Sequence, residues 1–278
     1  MELTTVGAKS FIAIILGMTL SFVIPIVVAL IWKIKKKERT STILVGAATF
    51  LLFALILEKP IQALVIYVDN PLSRYLNANP VLWALVVGLF PGIFEETGRL
   101  VAFRTLLKNR KNRETSISHG IGHGCFEVMY TLGVSYITYL TYAVMINAGT
   151  FSTMIDQAAT QVPNQADTLI ALAQQIQNFA IIDIVPGFLE RVFAVLFHIG
   201  ASMLVFYACK NKEKLWLYPL AILLHTVMDF LAGLTTIGAL NWSIWAVEGV
   251  FAAFGILTFC LVYFILYRKD TDKYEIKI

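Results

Sequence analysis

Residues 11–32 read FIAIILGMTLSFVIPIVVALIW, and residues 33–39 that follow read KIKKKER. The first stretch carries no charge. As a helix rising ~1.5 Å per residue it reaches across a hydrocarbon core ~30 Å thick. Backbone groups in lipid must be satisfied within the segment, so the stretch is a helix. The basic cluster after it marks the cytoplasmic side and places the N-terminus outside. The run has no small-residue cleavage site, and its basic cluster follows rather than precedes it. It therefore reads as an anchor, not a removable signal.

The same alternation of apolar run and flank extends along the chain. Of 278 residues 58% are hydrophobic and 14% charged, against ~25% charged in soluble domains. Further apolar runs occupy residues 41–57, 81–106, 117–146, 187–209, 215–237 and 243–267. All 22 Lys and Arg residues except Lys9, Lys59, Arg74, Arg99 and Arg191 fall in four gaps, 33–39, 104–113, 210–214 and 268–277. These basic gaps alternate with non-basic ones. That pattern reads as topology rather than as a nucleic-acid surface, and no nucleic-acid partner is expected. The predicted fold is all-α: a single integral membrane domain over 1–278, a bundle crossing the bilayer seven times, N-terminus out and C-terminus in. Pro60 is expected to end or kink the second span, residues 61–80 to lie outside near the interface, and Pro91-Gly92 to kink the third.

Residues 147–186 form the long extracytoplasmic insert. Leu169, Leu172, Ala173, Ile176, Phe179 and Ala180 recur at helical spacing, with Gln174, Gln175, Gln177 and Asn178 largely opposite. This predicts an amphipathic helix on the membrane surface or over the bundle, acting as lid or connector. Cys125, Cys209 and Cys260 have no spacing for disulfides or a zinc ribbon and read as packing residues.

Ionisable residues inside spans are costly and usually functional. The third span carries Glu95, Glu96 and Arg99, the fourth His123 and Glu127, the fifth Glu190, Arg191 and His198, and the sixth His225 and Asp229. Counted from the basic flanks, Glu96, His123, Glu127, His198, His225 and Asp229 lie about 15 to 22 Å from the inner edge, near mid-membrane. The pairs Glu95/Arg99, His123/Glu127 and His225/Asp229 are four apart and share a helix face. A Glu–Arg pair alone is equally explained as helix glue. His119 reads as interfacial at the inner end, Glu190-Arg191 and Glu248 as local structure near the outer end, and Gly120, Gly122 and Gly124 as packing residues.

Carboxylates, imidazoles and an arginine at one depth suit activation of water: a glutamate as general base, imidazoles to hold water or a metal. There is no His-Glu-x-x-His and no Gly-x-Gly-Asp. Ser202 could in principle pair with His225, but nothing around it marks a nucleophile.

Together, Phe94-Glu95-Glu96-Thr97-Gly98-Arg99, Gly122-His123-Gly124-Cys125-Phe126-Glu127, Glu190-Arg191 with His198, and His225-Thr226-Val227-Met228-Asp229 resemble the YhfC family of bacterial membrane peptidases. The layout is similar to that of the PrsW and CAAX-protease superfamily. The resemblance covers a peptidase-like core over residues 94–229. His123 stands where the related element has Phe, and Arg99 follows the glutamates one residue sooner than in many CAAX-type members. The resemblance implies an intramembrane endopeptidase of a bacterial cytoplasmic membrane, acting on peptides or membrane proteins in the bilayer. Glu96, or Glu95, would be the base, with His198 and His225 holding water or metal, Glu127 and Asp229 supporting them, and Arg99 tuning the glutamates. A zinc ion on His123, His198 and His225 and a metal-free glutamate mechanism both remain open. The rival classes are a proton- or ion-coupled transporter, in which the same acids relay protons, and a non-catalytic binding or immunity protein.

Overall fold

A computed structural model describes residues 4–161, 163–240 and 242–270. The expected charged tail beyond residue 270 lies outside them. The described residues contain ten helices: α1 (Ala8–Lys36), α2 (Thr40–Ile66), α3 (Pro71–Asn77), α4 (Pro80–Arg104), α5 (Glu114–Asn147), α6 (Thr150–Gln161), α7 (Pro163–Gln177), α8 (Ile184–Lys210), α9 (Leu217–Thr236) and α10 (Ile244–Ile265). Seven of them, α1, α2, α4, α5, α8, α9 and α10, are long and apolar enough to cross a bilayer. Their exposed faces carry large apolar side chains such as Ile24, Ile31, Leu51, Leu52, Leu257, Leu261 and Phe264. Such surfaces would aggregate in water, and in lipid they are the required solvent face. The protein is a multi-pass membrane protein.

Pro60 does not end α2, the first of the two outcomes expected from the sequence. Residues Phe50–Glu58 are wound as π-helix, and the Lys59 N–H bonds the Ala54 carbonyl five residues back. The wider turn takes up the proline ring and its missing donor. The helix then runs on to Ile66, which draws part of the expected outer segment into the span and buries Glu58. Pro91 is accommodated inside α4, with no break in the helix.

The chain packs as two compact units. One comprises the residues up to Ile26 and Val128–Phe188. Its core joins Ala13 and Ile14 of α1, Tyr136, Ala143 and Ile146 of α5, Phe151 and Ile155 of α6, and Ala173 and Ile176 of α7. The amphipathic face of α7 is therefore buried against protein, while Gln174, Gln175 and Asn178 are exposed. Ala180 departs from the predicted face. The helix ends at Gln177, and the backbone at Ala180 is extended and exposed.

The other unit comprises Val27–Glu127 and the residues from Leu189 on. Phe103, Ile121, Ile199, Met203, Phe206 and Leu217 centre its larger apolar cluster. Two glycines mark the close crossings of α4 with α9 and of α5 with α8. A Cβ on Gly88 of α4 would lie 2.5 Å from the Phe230 nitrogen of α9, and one on Gly120 of α5 would lie 2.6 Å from Ile199 Cα of α8. Only glycine allows these backbones so close. The close approach brings the polar faces of α4, α5, α8 and α9 together.

Candidate active site

Four helices of this second unit each present one stripe of polar side chains. α4 offers Glu95, Glu96 and Arg99. α5 offers His119, His123 and Glu127 at successive four-residue steps. α8 offers Arg191, His198 and Ser202 at steps of seven and four, and α9 offers His225 and Asp229. Such spacings keep side chains on one helix face.

Arg99 sits at the centre, fully buried. Its Nη1 donates to Glu96 Oε1 at 2.5 Å and its Nη2 to His198 Nδ1 at 2.6 Å. The Glu95 carboxylate lies 3.8 Å from Nη2. Arginine can only donate, so His198 Nδ1 must be the acceptor and the ring proton belongs on Nε2. That nitrogen meets Glu127 Oε2 in a short ion-pair contact. Glu127 Oε1 in turn accepts from Arg191 Nη1 at 2.7 Å, and Arg191 also pairs with Glu190.

Glu96 Oε1 is shared. Besides Arg99 it meets His225 Nδ1 at 2.7 Å, while His225 Nε2 faces Asp229 Oδ2 at 3.3 Å. Glu96 Oε2 is buried without a partner. Glu95 Oε2 bonds His123 Nε2 at 2.8 Å, and His123 Nδ1 is also buried and unpartnered. The Phe197 ring stands edge-on to both His198 and His225. Burial is uneven. Glu96 and Arg99 are sealed, whereas the Asp229 and Glu190 side chains are each about one-third exposed, at 34% and 33%. The site opens on their side.

All eight residues singled out from the sequence, Glu95, Glu96, Arg99, His123, Glu127, His198, His225 and Asp229, join one network. The ligand group differs from the expected three imidazoles. Glu95, His123 and His198 offer donor atoms within 4.8 Å of one another, and His225 stands outside that group, tied to Glu96 and Asp229. Two imidazoles and a carboxylate are a common zinc donor set, and the orphaned Nδ1 of His123 suits a metal. Acids also outnumber the fixed cations: Glu95, Glu96, Glu127, Glu190 and Asp229 face Arg99 and Arg191.

Several expectations change. Arg191 belongs to the network through Glu127 as well as to the local pair with Glu190. Its seven-residue spacing to His198 was the available signal. His119, expected near the inner end, is fully buried in protein, bonded to Ser202 and Thr49. Ser202 pairs with His119 and Arg99, not His225. Glu58, on which no sequence expectation was placed, is fully buried and pairs with Lys59 at 3.1 Å.

A family model described as YhfC intramembrane metalloprotease matches residues 20–251. The chain is 29% identical over 264 residues to the uncharacterized membrane protein YhfC of Bacillus subtilis (strain 168), covering 95% of this chain and 98% of that one. No solved structure matches.

Proposed function

Since the chain belongs to the YhfC intramembrane metalloprotease family, we propose that it hydrolyses peptide bonds of membrane-embedded substrates, with Glu96 as general base. The observation that carries this is the state of the Glu96 carboxylate. One oxygen is pinned by Arg99 and His225, and the other is buried and unpartnered. A carboxylate held in this way has its free oxygen ready to take a proton from water.

Glu95, His123 and His198 would hold a zinc ion, for which His198 would give its one lone pair, at Nδ1, in place of the bond from Arg99. Zinc bound there supplies Lewis acidity and brings the pKa of its water down to about 7. The chain's own groups do the rest. Glu96 Oε2 accepts a proton as water oxygen adds to the scissile carbonyl carbon, and returns it to the leaving amine as the C–N bond breaks. Arg99 and His225 pin one Glu96 oxygen, Glu127 with Arg191 supports the far side of the His198 ring, and Asp229 steadies His225. The one-third-exposed Asp229 and Glu190 mark the side from which an extended peptide and water enter. Seclusion of the remainder strengthens each electrostatic contact.

The test uses purified protein in proteoliposomes with transmembrane model peptides. Glu96→Gln is expected to lower cleavage about 10² to 10⁴-fold while keeping stoichiometric zinc. His123→Ala, His198→Ala and Glu95→Gln are expected to lose zinc. Full cleavage in Glu96→Gln sinks the assignment, and activity that survives complete zinc removal sinks the metal part of it.

A further inference from the structure

Three buried side chains that the proposed chemistry leaves idle lie in a line behind Arg99. They are Ser202 on α8, His119 on α5 and Thr49 on α2. Arg99 Nε is 3.3 Å from Ser202 Oγ, Ser202 Oγ is 3.2 Å from His119 Nδ1, and His119 Nε2 is 3.2 Å from Thr49 Oγ1. Thr49 Oγ1 donates to the Val45 carbonyl at 2.8 Å.

The direction of every bond follows from the two ends. Arginine only donates, so Ser202 Oγ accepts from Nε–H. Thr49 has spent its one hydroxyl proton on Val45, so it accepts from His119 Nε2–H. The other nitrogen of a neutral imidazole is then a lone pair, and the Ser202 proton points at it. Each proton is used once and no two donors meet.

We propose that Thr49, His119 and Ser202 are positioning residues, a hydrogen-bond chain anchored on the Val45 carbonyl that fixes the plane of the Arg99 guanidinium. The bonds from Nη1 to Glu96 and from Nη2 to His198 define a line about which the planar group can swing. The Nε bond to Ser202 is the third point that stops it. Through that plane the chain sets where Glu96 points and keeps His198 with its proton on Nε2. Ser202 is not a nucleophile in this arrangement. Its lone pair is held by a cation, and beyond His119 stands a hydroxyl, not the carboxylate that would stabilise an imidazolium. What the chain serves rests on the protease reading; its existence does not, and the two can be tested apart.

The protein has 4 histidines, few enough for ¹⁵N-imidazole spectra of the full chain in lipid nanodiscs after zinc is chelated, with peaks assigned by single His→Gln variants. His119 and His198 are expected to show protonated Nε2 and bare Nδ1. Thr49→Val keeps the shape, including the methyl that faces Gly98, but removes the acceptor. It is expected to shift His119 and, four bonds of the chain away, His198, while Thr49→Ser restores both. Ser202→Ala is the second variant, expected to release His198 in the same way. An unmoved His198 in Thr49→Val or Ser202→Ala overturns the proposal. In proteoliposomes, Thr49→Val is expected to lower kcat about tenfold at unchanged KM. If the spectra behave as expected and even the wild type cleaves no transmembrane peptide, the chain stands and the protease reading falls. If Glu96-dependent cleavage is indifferent to Thr49→Val and His198 does not move, the chain falls and the protease reading stands.

Discussion

Arg99 makes four contacts with one planar group, to Glu95, Glu96, His198 and Ser202. An ammonium on a flexible stem cannot reproduce that fork. Arg99→Lys therefore keeps the charge yet is expected to lower kcat about 10²-fold through misplacement alone, measured on reconstituted peptide with zinc content unchanged. Equal activity in the two proteins would mean that charge, not geometry, is what Arg99 supplies. At this scale much of the site was legible in the sequence, because an ionisable side chain within an apolar run is rare enough to stand out. What escaped were residues whose meaning depends on neighbours. His119 sits near the inner flank when counted along α5, and only the glycine-permitted crossings bury it. Arg191 pairs with the residue beside it, as the sequence suggests, and only α5 brings up its second partner, Glu127.

Elements were legible where a period sets them. Six of the seven spans appear within a few residues of their expected limits, because apolar length is a direct requirement of the bilayer, and α2 runs past its expected end at residue 57 to Ile66. The π-helical stretch of α2 was not legible. It is a local rewinding around Pro60, with no compositional mark, and it turns what looked like the end of a span into a buried Glu58. For α7 the period was right, but the partner of its apolar face is now specified. Ile176 is fully buried among Tyr136, Phe151 and Ile155 in one core. Removing residues 168–177, a natural first test of a lid, would thus empty a core as well. A finer test is Ile176→Ala, expected to cost about 2 to 5 kcal/mol, beside Gln174→Ala on the exposed face, expected within about 0.5 kcal/mol. Reversible unfolding in mixed micelles reads both. Equal small effects would return α7 to the role of a peripheral connector.

For the whole molecule, the alternation of basic flanks predicts sidedness. Reporters fused after residues 36, 111, 212 and 275 are expected in the cytoplasm, and those after 75 and 165 outside. A reversed inner loop would undo the estimate that the acids and imidazoles lie at mid-membrane. The pairing of Glu127 with Arg191 has a consequence for how the protein is made. Arg99 reaches the membrane with its counterions on the same helix, three and four residues upstream. Glu127 does not, because its arginine is encoded 64 residues later. At roughly 5 to 20 residues per second of synthesis, that carboxylate waits roughly 3 to 13 s before its partner emerges. During that time α5 is a poor candidate for release into lipid, so it should stay at the insertion machinery until α8 arrives. Pulse-labelled Arg191→Leu chains are expected to linger there and be degraded, and Glu127→Gln in the same chain is expected to free them; prompt maturation of Arg191→Leu alone would show that the wait does not occur.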